Sequence, residues 1–371
     1  MSALFLISID GVADRVVETG IQVMGGRTFV KTDPASAFSG NRQFTYFKPK
    51  GRHPTEYEDL TLHTQPDPKA FAFQGWLTRF ADGREPWTEN STALKCTDWW
   101  AFQDPAKQWQ RIYVAAQAEQ ERGLDRTVEA ARAEGLFTDF DQTWVKTVLG
   151  KYYAAYACLE YGLFRCFAYA QREALSATAG NVCIFNAADK IRHAQDIALY
   201  GMDLTEAIPD FSDAQAKAVW LEDPIYQGAR KNVEGLMASQ DWGEVIIGVN
   251  LVLEPLFGVL ARVQFFSRFA PRNGDAVTPA ILATAGNDWQ RNLRWTKEFV
   301  SILLCDPEHG AGNKKVIEGW LAKWLPATRE AMQGLAPLFD IPQAKPHTFA
   351  QARERVEGHY AALLKELGVT T

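Results

Sequence analysis

Lys190-x-x-His193 and Asp288-x-x-Arg291 decide how this chain reads. Each pair sets its two side chains at i and i+3, on one face of a helix. Upstream of each pair a single glutamate interrupts an apolar helical stretch. Glu160 has Tyr156, Ala157, Leu163 and Phe164 three and four residues away, and Glu254 has Asn250, Leu251, Phe257 and Gly258. The spacing repeats, 30 residues from Glu160 to Lys190 and 34 from Glu254 to Asp288. Helical bundles that hold two iron ions use this layout: one Glu from each of two helices and Glu-x-x-His from each of the other two, all pointing inward. Here Lys190, Asp288 and Arg291 replace half of that ligand set. The residues outline a metal scaffold whose metal has been erased.

A carboxylate on an apolar helix face must be paired, hydrogen-bonded, metal-bound or protonated, because an isolated buried charge is too costly. If all six residues converge, Glu160, Glu254 and Asp288 bring three negative charges and Lys190 and Arg291 two positive ones. A protonated His193 balances the sum. An ammonium and a guanidinium have no lone pair with which to ligate a cation. The expectation is therefore a buried salt-bridge network with no metal and no catalytic residue in this chain. Singly, each residue has a plainer reading: His193 as a hydrogen-bonded helix histidine, Asp288 and Arg291 as a common i, i+3 ion pair. The joint spacing over four helices carries the stronger one. The alternative is an independent metalloprotein with a mononuclear site from Glu160, His193, Glu254 and Asp288.

Composition limits the remaining choices. With 371 residues, 47% of them hydrophobic, the chain can bury a large core. A net charge of −6 argues against nucleic-acid partners, which need a concentrated basic surface. Five scattered cysteines without Cys-x-x-Cys suit free, buried thiols in a reducing cytoplasm. Residues 1–26 lack a basic start and carry Asp10 and Asp14, which speaks against a signal peptide. The greasiest stretch, 245–266, contains Asn250, Glu254, Pro255 and Arg262 and reads as a core helix, not a membrane span. No Gly-rich phosphate loop or Gly-x-Ser-x-Gly elbow occurs, and His53, His63, His309, His347 and His359 read as surface or loop residues.

Residues 1–103 are rich in Pro, Gly and aromatics with little periodicity. They read as an extended arm lying partly on the chain's own body and partly on a partner. Phe44, Tyr46, Phe47, Tyr57, Trp76, Trp87, Trp99 and Trp100 are its candidate partner-interface residues. Residues 104–371 read as an all-α domain. Asp104-Pro105 predicts a helix over 105–134 stopped by Gly135, and Thr138 or Asp139 caps the next. Further helices are expected over 149–176, 180–201, after Ser212-Asp213, from Asp223-Pro224, from Asp241-Trp242 to about Pro271, and over 277–305, 313–334 and 347–367.

Several strings resemble one family: Arg52-x-Pro54-x-x-Tyr57-Glu58, Asp98-Trp99-x-x-Phe102-x-Asp104-Pro105, Asp223-Pro224-Ile225-Tyr226-Gln227-Gly228, Asp241-Trp242-x-Glu244 leading to Asn250-Leu251-Val252, Arg294-Trp295, and Trp320-x-x-x-Trp324-x-Pro326. Over roughly residues 44–330 the chain is similar to the small (β) subunit of the hydroxylase component of soluble bacterial multicomponent di-iron monooxygenases. The resemblance implies a ferritin-like bundle, akin to ribonucleotide-reductase small subunits. It implies a partner large (α) subunit with the intact di-iron site, an (αβ)₂ assembly often with a γ subunit, a small coupling protein, and a reductase carrying FAD and a 2Fe-2S cluster and using NADH. It also implies a non-catalytic role in inserting one oxygen atom of O₂ into a small alkane, ketone or phenol. A cofactor-free assembly factor is the remaining alternative.

Overall fold

Side-chain caps and helix-stopping glycines divide this chain into its helices. The computed structural model describes residues 51–62, 82–84 and 88–371, and all of these lie in the compact unit Thr45–Thr371. No strand occurs among the described residues. The helices are α1 (Glu56–Thr61), α2 (Gln110–Ala133), α3 (Trp144–Tyr153 in wide π turns, then Ala154–Glu173), α4 (Ala177–Ala207) and α5 (Ala216–Glu222). They continue with α6 (Pro224–Ala238), α7 (Trp242–Ile246, then Ile247–Ser267 in π turns), α8 (Thr278–Leu304), α9 (Gly310–Gly334) and α10 (Phe349–Leu367).

Four helices begin at a capping side chain, and two of these, at Asp223 and Asp241, are the expected starts. Ser176, Asp223, Asp241 and Thr348 each accept a backbone N–H of the first turn of α4, α6, α7 and α10, which satisfies donors the helix cannot. Pro224 follows Asp223 at the first helical position. The Asp104-Pro105 start is corrected. Asp104 does accept the N–H groups of Ala106 and Gln108, but Lys107 takes φ = 50°, so α2 begins only at Gln110. Gly135, at φ = 69°, ends α2 as expected. Asp141, not Thr138 or Asp139, caps α3 through the Trp144 N–H, and α3 runs unbroken past Gly150 to Glu173.

The α3–α4 pair makes the most extensive helix contact, and α7 is the axis on which α8, α9 and α10 pack. The apolar part of α7 is long enough to cross a membrane, yet 94% of it is buried inside the protein. Pro255 sits within its wide turns, where the regular i→i−4 ladder is already interrupted. His347, read as a loop residue, is only 7% exposed and packs edge-on against Phe269 at 5.4 Å. Of the five thiols, Cys96, Cys166 and Cys183 are buried while Cys305 is exposed.

The strings that carry the family resemblance form structural joints. Arg52 and Glu58 make a forked ion pair at 2.7 and 2.8 Å, and the Tyr57 hydroxyl accepts the Asp104 N–H. Trp242 donates to Ser91 at 3.2 Å, while Asp241 also accepts the Ala93 N–H, so residues 91–93 are fastened to the start of α7. Glu244 receives the Trp324 indole N–H at 2.9 Å and pairs with Lys323, tying α7 to α9. Of the arm residues, Tyr57 and Trp99 are buried. Trp99 lies against Trp242 and Phe299 of its own chain, and Trp100 is half-buried. Phe44, Tyr46, Phe47, Trp76 and Trp87 lie outside the described residues.

Gly228 marks the closest approach of α6 to α9: a Cβ there would stand 2.8 Å from the Ala331 Cα. Backbone cannot move aside as a flexible side chain does. Gly228→Ala is expected to destabilise by about 1–3 kcal/mol in urea unfolding, the usual cost of overpacking. An unchanged midpoint would show that the two helices are not held at this distance.

Candidate functional site

At the centre of the bundle three helices bring five ionisable side chains together, all between 0% and 7% exposed. Glu160 comes from α3, Lys190 and His193 from α4, and Glu254 and Arg262 from α7. The Lys190 Nζ is 2.8 Å from Glu254 Oε1 and 3.4 Å from Glu160 Oε2. The Arg262 guanidinium spans both carboxylates: its Nη1 is 3.1 Å from Glu160 Oε1 and 3.2 Å from Glu254 Oε1, and its Nη2 bonds Glu254 Oε2. It also donates to the Tyr156 hydroxyl at 3.1 Å. Gly258 leaves room for this pair, since a Cβ there would lie 3.1 Å from both Arg262 Nη2 and Glu254 Oε2. His193 Nδ1 lies 3.2 Å from Glu160 Oε1, and among the described residues its Nε2 has no hydrogen-bond partner.

The charge balance closes differently from the sequence expectation. Burial pushes the His193 pKa down, and Arg262 and Lys190 beside it add to that against the pull of Glu160, so the imidazole is neutral. The second cation is Arg262, two turns beyond Glu254 on the same helix. Its signal was visible as a lone Arg in an apolar stretch, but its register with Glu254 depends on the wide turns of α7. Burial alone would raise both glutamates. Lys190, the hydrogen bond from His193 and Arg262 more than offset it at Glu160, and Arg262 and Lys190 do so at Glu254, holding both below the usual carboxylate range.

Asp288 and Arg291 do not join this group. They form a second network on α8 with Asp189, Arg192 and Asp196 of α4, staggered by one residue from Lys190 and His193. Asp288 pairs with Arg291 at 3.0 Å and with Arg192 at 2.5 Å, and accepts from Gln117 of α2 at 2.8 Å. Arg291 bonds Asp189, which also accepts from Tyr113 and Asn292, each at 2.8 Å. Arg192 reaches Asp196 at 2.7 Å and Glu121 at 2.8 Å. Burial here outweighs the cations for two groups, raising Asp189 to about 6 and Asp196 to about 7, whereas Arg192 and Arg291 overcome burial at Asp288 and hold it low. Asn186, Asn250, Thr296 and Asn292 form a buried amide chain joining α4, α7 and α8.

Neither network suits a metal ion. In the first, both carboxylates are held by an ammonium and a guanidinium, which cannot ligate and would repel a cation. In the second, the carboxylates surround two guanidiniums. The four-residue mononuclear set also fails to assemble, because Asp288 belongs to the other network. Among the described residues no group of three or more His, Cys, Asp and Glu side chains is placed to hold a metal.

Residues 76–307 match the methane/phenol/alkene hydroxylase family. The chain belongs to that family. Within it the chain stands with the small (β) subunits of multicomponent monooxygenase hydroxylases. It is 34% identical over 330 residues to the propane 2-monooxygenase hydroxylase small subunit of Mycolicibacterium smegmatis, covering 89% of each chain. It is 33% identical over 315 residues to the methane monooxygenase component A beta chain of Methylosinus trichosporium, covering 82% of this chain and 80% of that one. Its fold is that of a phenol hydroxylase structure from Pseudomonas sp. OX1, with a TM-score of 0.73 at 18% identity over 95% of this chain and 99% of that chain. A toluene 4-monooxygenase structure superposes with a TM-score of 0.67 at 24% identity, over 80% and 98% of the two chains.

Removing one partner of a buried ion pair strands the other. Lys190→Ala in this small subunit is expected to cost about 3–5 kcal/mol, read from urea unfolding. A change within about 0.5 kcal/mol, as at ordinary surface positions, would show that no such network forms. The two networks also oppose each other in pH. Glu160 and Glu254, with folded pKa values below their unfolded ones, stabilise fully above about pH 5, and that stability is lost as pH falls towards the folded values. Asp196, raised to about 7, costs stability as pH rises from about 4 to above 7. Asp196→Asn should therefore gain on the wild type by about 1–3 kcal/mol between pH 5 and pH 8. A pH-independent difference would mean that Asp196 ionises normally.

Proposed function

We propose that this chain is the non-catalytic, scaffolding small subunit of a hydroxylase whose large subunit carries a di-iron centre. The observation that carries this reading is the Lys190–Glu160–Glu254–Arg262 network, in which two fixed cations occupy the middle of the bundle. The names of the relatives supply the rest: hydroxylase components acting on propane, methane, toluene and phenol. The reaction is the insertion of one oxygen atom of O₂ into a small hydrocarbon or related substrate, in the cytoplasm. The assembly is an (αβ)₂ hydroxylase, often with a γ subunit, supplied with electrons by an NADH-dependent FAD and 2Fe-2S reductase and timed by a coupling protein. This chain contributes rigid surface, and its buried ion pairs replace a metal in holding α3, α4 and α7 together.

Co-expression with the genes beside it tests the reading. The chain is expected to purify in a 1:1 ratio with a larger protein, as the (αβ)₂ assembly of this resemblance requires, with the iron found in that protein and none in this chain after dissociation. Stoichiometric iron in the isolated chain, or oxygenase activity without a partner, would overturn it.

A further inference from the structure

Helices α2 and α4 run side by side in the same direction, as three cross-links show: Tyr113 to Asp189, Glu121 to Arg192 and Arg132 to Asp203. Over their first halves the seam is closed, with Tyr113 stacked on Phe185 at 4.4 Å and Gln117 reaching Asp189 at 3.4 Å. Over their second halves it opens into a groove of about 350 Å³. Leu124, Val128, Tyr200 and Ile281 line it with apolar surface. Glu121, Asp125 and Glu129 of α2 and Asp196, Asp203 and Glu206 of α4 line it with acid, against one base among the described residues, Arg132, which already pairs with Asp203 and Glu206. Because the helices are parallel, their negative C-terminal ends, at Ala133 and Ala207, lie together at this end of the seam. Beside the groove Leu199 and Met202 are 58% and 63% exposed.

The charge of the buried network behind the groove is a separate observation. Among the described residues Asp189, Asp196 and Asp288, all under 5% exposed, share only Arg192 and Arg291, and Arg192 also holds Glu121. The central network balances its two carboxylates with two cations, but this one is short of positive charge. Asp196 is the member that lines the groove. Among the described residues only its Oδ2 is hydrogen-bonded, by Arg192. A buried carboxylate left this way favours a desolvated cation delivered from outside.

We propose that this groove is a docking site for a basic segment of the hydroxylase large subunit, whose Arg or Lys reaches Asp196 while its apolar side chains cover Leu199 and Met202. The inference rests on the function proposed above and names the surface through which that subunit is held. A second copy of this chain fits poorly, since a two-fold contact would set one acidic groove against the other. A transient electron-transfer partner fits the charge but leaves the apolar floor and the buried Asp196 without a permanent cover.

The test uses the assembled hydroxylase. A photo-crosslinking amino acid at Met202 is expected to give one dominant product, to a Lys- or Arg-bearing peptide of the large subunit. Asp125 and Glu129 are exposed, so Asp125→Lys with Glu129→Lys leaves the fold intact. This double variant is expected to weaken subunit association at least tenfold at low salt, with a smaller loss at high salt. Cross-links to a second copy of this chain, to the coupling protein or to nothing would overturn the proposal, as would unchanged association of the double variant. If the wild type purifies without any large subunit, the function proposed above fails as well. A wild type that assembles but does not cross-link through Met202 refutes the groove alone.

Discussion

Four charges in the middle of an apolar bundle set the terms for the rest of this structure. Glu160 and Glu254 are buried on different helices, and neither could stay ionised there alone. Lys190 lies between them, and Arg262 bridges them from the other side. Each carboxylate thus touches both cations, and α3, α4 and α7 have to meet at one point for any of the four to be compensated. Replacing such a group wholesale with apolar residues can be neutral, while deleting one member is costly. The network therefore acts through specificity: a slip of α7 along α3 would leave charges unpaired, whereas an all-apolar seam would tolerate it.

The second network shows what happens when the balance does not close. On α4 the residues of the two networks interleave, with Asp189 beside Lys190 and Arg192 beside His193 in sequence. One face of the helix points to the centre and the other to α2 and α8. The inner set has equal numbers of fixed charges. The outer set keeps an excess of carboxylate, and part of it reaches the surface through the α2–α4 groove. The central charges are balanced within this chain, while Asp196 of the outer set lines the groove.

Around these networks the family-like strings act as fasteners. Asp223 caps α6, and Gly228 lets α6 approach the backbone of α9. Asp241 caps α7 and also holds Ala93, and Glu244 ties α7 to Lys323 and Trp324. The strings that carry the resemblance thus contain several of the residues that join helices. Described residues before α2 are fastened to the same unit too. Tyr57, Leu94 and Trp99 are core residues of the same unit.

The amino-acid pattern by itself pointed to the helical class, to the helix starts at Asp223 and Asp241, and to Glu160, Lys190, His193 and Glu254 as charges on apolar faces. These follow from local rules: caps act on the next turn, and charges on apolar faces stand out against their neighbours. Three things were decided only by the tertiary structure. Arg262, not a protonated His193, supplies the second central cation, because burial keeps the imidazole neutral. Asp288 and Arg291 turn to Asp189 and Arg192 instead of joining the centre. The surplus charge opens into a groove between α2 and α4. Each of these depends on the relative rotation and register of packed helices, where one residue, about 100° of turn, decides which face a side chain enters. Spacing along a chain can show that two residues share a helix face, but which neighbour that face meets is set by the packing of the whole bundle.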